Sequence, residues 1–175
     1  MTPQAQKVDL AGELSQALVS AEFGPFYGTP CAVMSPLYGA LEAGPGVFTV
    51  AREDNAIGIA VGAALTGHCP VVLMQNHGLG PSLGAIAALV MPYRVPLLLA
   101  VHVRGEAGGH PAEAALLSRI TRPLLDGLGL AVVGFAPARP ADEQVERARD
   151  AVRDQRTPTA LLIPPTALET GEREG

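Results

Sequence analysis

Tryptophan is missing from this 175-residue chain, aromatic residues make up only 4% of it and charged residues only 17%. Cysteine is nearly absent: Cys31 and Cys69 stand far apart and form no CxxC pair, so neither a disulfide framework nor a cysteine zinc site is available. A reducing, cytoplasmic setting is the expectation. Basic residues are scarce, 12 against 17 acids for a net charge of -5. Without a basic face there is no counterion release to drive binding, so nucleic acid is not an expected partner. Every apolar run is broken by Gly, Pro or polar groups before it reaches the roughly 18 residues a membrane span needs. Met1 to Asp9 holds a single lysine and no apolar segment of signal-peptide length, so neither a membrane nor export is expected.

Several catalytic motifs are missing too. Gly78, Gly80 and Gly84 give GxGxxxG, one residue longer than the dinucleotide-binding fingerprint. No GxSxG elbow occurs, and His68, His77, His102 and His110 show neither HxxxH nor HxH spacing, so no metal ligands are expected.

What is present is an apolar chain, 48% hydrophobic, of a length that suits about one domain. Its core needs no covalent or metal staple. We expect one domain over residues 1–165 and a flexible tail over 166–175. Six short apolar runs read as strands: Pro25 to Tyr27, Gly46 to Val50, Val71 to Gln75, Leu97 to Val103, Leu130 to Phe135 and Thr159 to Ile163. Most are unbroken rather than alternating, as strands covered on both faces require. Helical patterns lie between them: Asp9 to Glu22, Pro36 to Glu42, Glu53 to Leu65, Pro81 to Val90, Ala112 to Leu125 and Asp142 to Arg156. Strict alternation predicts an α/β fold, a doubly wound, mainly parallel six-stranded sheet with helices on both faces. Between Asp54 and Glu106 the only formal charges are Arg94 and Arg104. Helices so poor in charge lie in the core or face another subunit.

Three successive strand ends carry polar groups in these apolar surroundings. Arg52-Glu53-Asp54 follows one strand and opens a helix; ligands of open α/β sheets sit at such carboxyl ends. Acids there either complement the helix dipole and cap it or, for Glu53 before an all-apolar helix, sit in a dry site with a raised pKa. Gln75-Asn76-His77-Gly78-Leu79-Gly80 follows the next, either a helix-opening loop that offers N–H groups to an anion or a tight turn using glycine for positive φ. His77 is open between a surface turn and function. The third end holds His102, Arg104, Glu106 and His110 around a glycine turn. His102 reads as a half-buried, satisfied histidine, Arg104 and Glu106 as solvated charges unless a site claims them, and His110 as able to reach a site or to face water.

Together these segments resemble the pyrimidine-binding domain of thiamine-diphosphate-dependent 2-oxo acid decarboxylases, above all the alpha subunits of phosphonopyruvate and sulfopyruvate decarboxylases. Gly28-Thr29-Pro30-Cys31, Ser35-Pro36-Leu37, Arg52-Glu53-Asp54-Asn55-Ala56-Ile57-Gly58, Met74-Gln75-Asn76 with Gly78-Leu79-Gly80, and Arg104-Gly105-Glu106 with Gly108 carry the resemblance, which covers about Tyr27 to Ile163. It implies that Glu53 hydrogen-bonds N1′ of the cofactor's aminopyrimidine and that Pro30, Gln75, Asn76, Gly78 and Leu79 help bind the cofactor. His77, Arg104 and His110 are then the candidates for an anionic 2-oxo acid substrate.

Relatives usually have serine in place of His77, and Gly109-His110-Pro111-Ala112-Glu113 departs from their acidic, glutamine-bearing stretch. The Gly-Asp-Gly start and later asparagine that hold Mg2+ and the diphosphate occur nowhere in this chain. The resemblance therefore implies a diphosphate-binding beta subunit as partner, in a heterotetramer or larger assembly. Two other functions stay open: a non-catalytic, regulatory partner of a full-length thiamine-diphosphate enzyme, and a free-standing nucleotide-binding domain using the Gly78 to Gly84 segment.

Overall fold

A computed structural model describes residues 9–105 and 112–168. Six strands, β1 (Phe26–Gly28), β2 (Phe48–Thr49), β3 (Val71–Gln75), β4 (Leu98–His102), β5 (Ala131–Gly134) and β6 (Thr159–Ile163), pair in the order β2-β1-β3-β4-β6-β5. Every pairing is parallel. The helices are α1 (Leu10–Ser20), α2 (Ser35–Glu42), α3 (Glu53–Leu65), α4 (Asn76–Ala85), α5 (Ala112–Leu128) and α6 (Ala141–Arg153).

The unbroken apolar runs have a direct cause. Side chains alternate across a strand, so Val71, Leu73, Leu98 and Ala100 join one core with Leu14 and Leu18 of α1, Leu37 and Leu41 of α2 and Val145 of α6. Val72, Met74, Leu99 and Val101 join the other, with Ile57 and Val61 of α3, Leu79 of α4 and Leu125 of α5. Both faces are covered, as expected of the doubly wound arrangement.

Local signals set the ends of α1. Asp9 accepts from the Gly12 N–H at 3.0 Å, a side-chain N-cap. At its other end the Phe23 N–H reaches the Leu18 carbonyl at 3.0 Å while Glu22 takes φ 58, a left-handed C-cap.

Most of the other expected boundaries move by one to three residues, β2 for example shrinking from Gly46–Val50 to Phe48–Thr49, and two differences go further. The helix predicted from Pro81 begins five residues earlier, at Asn76, directly after β3. Gly78, Gly80 and Gly84 are therefore helical and not among the glycines with positive φ, which overturns both the loop and the tight-turn interpretation. Pro81 sits inside α4, and Ser82 Oγ donates to the Gly78 carbonyl at 2.7 Å. The helix then widens at Ile86–Val90, where the Met91 N–H bonds to the Ile86 carbonyl five residues back. The second shift is at the far end, where Ala167 and Leu168 are buried against the first core; packing thus runs past residue 165 into the expected tail. Residues 169–175 lie outside the described residues, as do Glu106 and His110.

Candidate functional site

Every described candidate follows the carboxyl end of one of four neighbouring strands, β2, β1, β3 and β4. From β1 the chain moves to β2 on one side and to β3 on the other. The order of the sheet reverses there, and the crevice at such a point is where open α/β sheets bind ligands. Gln75, the last residue of β3, donates through Nε2 to Cys31 Sγ, which follows β1, so a side-chain bond spans this crevice.

The two acids that open α3 have separate jobs. Asp54 accepts from the Asn55 N–H at 3.0 Å and pairs with Arg52 at 3.0 and 2.9 Å. The bond from Arg52 holds its carboxyl below the usual aspartate range. Asp54 thus satisfies one first-turn N–H and pairs the Arg52 charge, while the N-cap residue Arg52 makes no side-chain cap bond. Glu53 is half-buried and has no side-chain hydrogen bond among the described residues. Its carboxyl-bearing arm lies on Gly78 of α4: a Cβ built there would sit 2.6 Å from Glu53 Cγ and Cδ. Gly78 is glycine for want of space, not for its φ.

A second close approach lies beside it. A Cβ at Gly28 would run into the hydroxyl of Tyr38, which donates to the Thr29 carbonyl at 2.8 Å. Burial pushes the Tyr38 hydroxyl above the ordinary tyrosine pKa, and the neighbouring Cys31 and Glu53 act in the same direction. Tyr38 is a wall of the site that sequence inspection missed. The available signal was its position beside Leu37, on the helix whose buried stripe is Leu37 and Leu41.

Asn76 is buried; its Nδ2 donates to the Arg104 carbonyl at 3.1 Å, which ties the ends of β3 and β4 together. Its Oδ1 has no partner, and neither does the buried Thr29 Oγ1. Buried polar atoms left open in this way point to a ligand or water. Arg104 is half-buried, Pro30 and His77 are exposed, and His102 is buried at the end of β4. Leu79 is buried in the second core, which leaves its main chain, not its side chain, to a ligand. Among the described residues no group of three or more His, Cys, Asp or Glu could hold a metal ion, and no helix is long and apolar enough to cross a membrane.

No family model matches the chain. It is 31% identical over 139 residues to the sulfopyruvate decarboxylase subunit alpha of Methanococcus maripaludis, covering 77% of this chain and 81% of that one. The same subunit of Methanothermobacter thermautotrophicus is 29% identical over 121 residues, 68% of this chain and 73% of the relative. Identity to the sulfopyruvate decarboxylase of Methanosarcina acetivorans is 32% over 124 residues, 69% of this chain but 31% of that longer protein. Among solved structures, a Mycobacterium smegmatis protein assigned to the thiamin diphosphate-dependent enzymes superposes with a TM-score of 0.69 at 16% identity, over 94% of this chain and 32% of its own. Benzoylformate decarboxylase from Polynucleobacter necessarius gives 0.65 at 19%, over the same shares. These two likenesses concern the fold, whereas the first rests on sequence over most of both chains. This chain belongs to the family of sulfopyruvate decarboxylase alpha subunits.

Proposed function

We propose that the chain is the alpha subunit of a two-chain, thiamine-diphosphate-dependent decarboxylase that converts 3-sulfopyruvate to the corresponding acetaldehyde and carbon dioxide. 3-Phosphonopyruvate is the chemically nearest alternative substrate. The observation that carries this reading is Glu53, half-buried, free of capping duty and laid on Gly78 at the crevice where the strand order reverses.

The residues present fit the pyrimidine end of the cofactor. Glu53 supplies a carboxyl group for the ring nitrogen N1′, while Asn76 Oδ1 and Thr29 Oγ1 are buried acceptors without partners. Gln75, Pro30 and the main chain of Gly78 and Leu79 complete the wall. When bound, thiamine diphosphate supplies the electron sink that lets the substrate carboxylate leave as carbon dioxide. The part of Glu53 is to hold a proton at N1′, and a carboxyl group sheltered by Gly78 keeps one position for that task. Gln75 and Tyr38 fix the Thr29 to Cys31 segment opposite, one through Cys31 Sγ and the other through the Thr29 carbonyl. Arg104, with His77 and His110 as further donors, reads the anionic tail of the substrate.

Mg2+ and the diphosphate fall to a beta subunit, because the Gly-Asp-Gly motif is absent here and the Methanosarcina relative carries this region as about a third of a longer chain. The exposed side of α3 and α4 suits such a partner: Gly58, Ile59, Gly62, Gly80 and Gly84 are exposed and uncharged. The test is carbon dioxide release from 3-sulfopyruvate, assayed with this chain alone and with a Gly-Asp-Gly-bearing partner. Turnover is expected only with the partner, cofactor and Mg2+ together; equal turnover by the chain alone rejects the two-chain arrangement.

A further inference from the structure

A second polar hollow lies at the other end of the sheet. Cys69 leads into β3 and Pro96 into β4, strands of five residues each, so about 17 Å of strand separates this end from Gln75 and Arg104. A cavity of about 300 Å³ there is lined by Gly67, His68, Cys69, Pro96, Arg153 and Arg156. The lining holds two guanidinium groups and an imidazole but no carboxylate.

Arg153 is fixed in place. Its guanidinium donates to Glu22 Oε2 at 2.8 Å and to the Glu22 carbonyl at 2.7 Å, so its geometry is set before any ligand arrives. Arg156 and His68 make no ion pair or side-chain hydrogen bond among the described residues. Arg156 also occupies a position where backbone geometry favours glycine. Beyond α6 the Thr157 N–H turns back to the Ala151 carbonyl at 2.9 Å, and Arg156, just before it, takes φ 49, in the left-handed region. An arginine there carries a backbone cost that glycine would not, and its charge has no acid to answer it.

We propose that this hollow binds a small molecule through a tetrahedral oxyanion group, a phosphate or a sulfonate. Arg153 offers a fixed guanidinium, Arg156 an uncompensated one whose planar fork suits two oxygens of one group, and His68 an N–H donor from the turn between α3 and β3. None of the residues proposed for the decarboxylase site lines it, and the titration below uses neither thiamine diphosphate nor a partner chain, so the two readings fail separately.

The experiment titrates the full chain, by calorimetry and by thermal shift, with inorganic phosphate and separately with methanesulfonate, against sodium chloride of equal ionic strength. Arg156→Gly is the deciding variant, because it removes the charge while giving the turn the residue its φ favours. Its melting temperature without anion is expected to equal or exceed that of the wild type. Saturable binding of at least one anion is expected, weakened about tenfold or more by Arg156→Gly and also weakened by His68→Ala. The anion that binds more tightly identifies the group. No saturable binding beyond chloride, or wild-type affinity in Arg156→Gly, overturns the proposal.

Discussion

Glu53 and Gly78 touch across the first turns of two helices, with no room for a Cβ between the glycine and the acid's Cγ and Cδ. Gly78→Ala should therefore divide stability from activity. The residue is helical without positive φ, so alanine gains about 0.5–1 kcal/mol of helix propensity, offset by whatever moving Glu53 costs. Melting temperature should change little, while turnover with the partner chain falls about 10²-fold because the carboxyl group is displaced. Unaltered turnover would show that the position of Glu53 is not critical.

Glu53→Gln keeps the size of the side chain and replaces its carboxyl group by an amide. Asp54, not Glu53, accepts the first-turn N–H of Asn55 and the ion-pair bond from Arg52, so folding should be unaffected. Decarboxylation should drop by at least the roughly 10²-fold typical of a lost acid–base group. Stopped assays with the reconstituted complex, beside circular dichroism of the chain alone, separate the two outcomes.

Arg104 has its main chain anchored by Asn76, and its half-buried side chain makes no ion pair or side-chain hydrogen bond among the described residues. Arg104→Lys should raise KM for 3-sulfopyruvate about tenfold, the scale of a lost charge-assisted bond. Turnover of plain pyruvate should stay nearly constant. Parallel loss on both substrates would assign Arg104 to holding the loop or the cofactor.

Tyr38 ties stability to alkaline pH. Its hydroxyl pKa is raised in the folded chain, chiefly by burial, so the unfolded chain gives up this proton first, near pH 10. The stabilisation is complete below that pH and is lost as pH rises toward the folded value. Tyr38→Phe should cost about 1 kcal/mol at neutral pH through the lost bond to Thr29 and flatten the decline of melting temperature above pH 10. An identical alkaline decline in wild type and variant would place its cause elsewhere.

The elements legible in the sequence were those whose own residues carry a strong local pattern. α3, β3 and β6 begin and end where the apolar runs and the acids of Arg52-Glu53-Asp54 place them. α4 was misjudged because Gly78, Gly80 and Pro81 are poor helix formers; packing against α3 and β3 overrides that preference, and the glycines allow the close approach.

Composition and order by themselves determined the class of this protein: unbroken apolar runs alternating with helical patterns require a sheet covered on both faces, and Glu53, Gln75 and Asn76 already stood at strand ends. Only the tertiary structure decided which ends are neighbours. The order β2-β1-β3-β4 joins Cys31 to Gln75 across 44 residues, sets Glu53 on Gly78 and buries Tyr38 against Thr29. Hydrophobic patterning acts along a segment and says which face is buried, whereas these contacts arise from the crossovers that bring distant segments side by side.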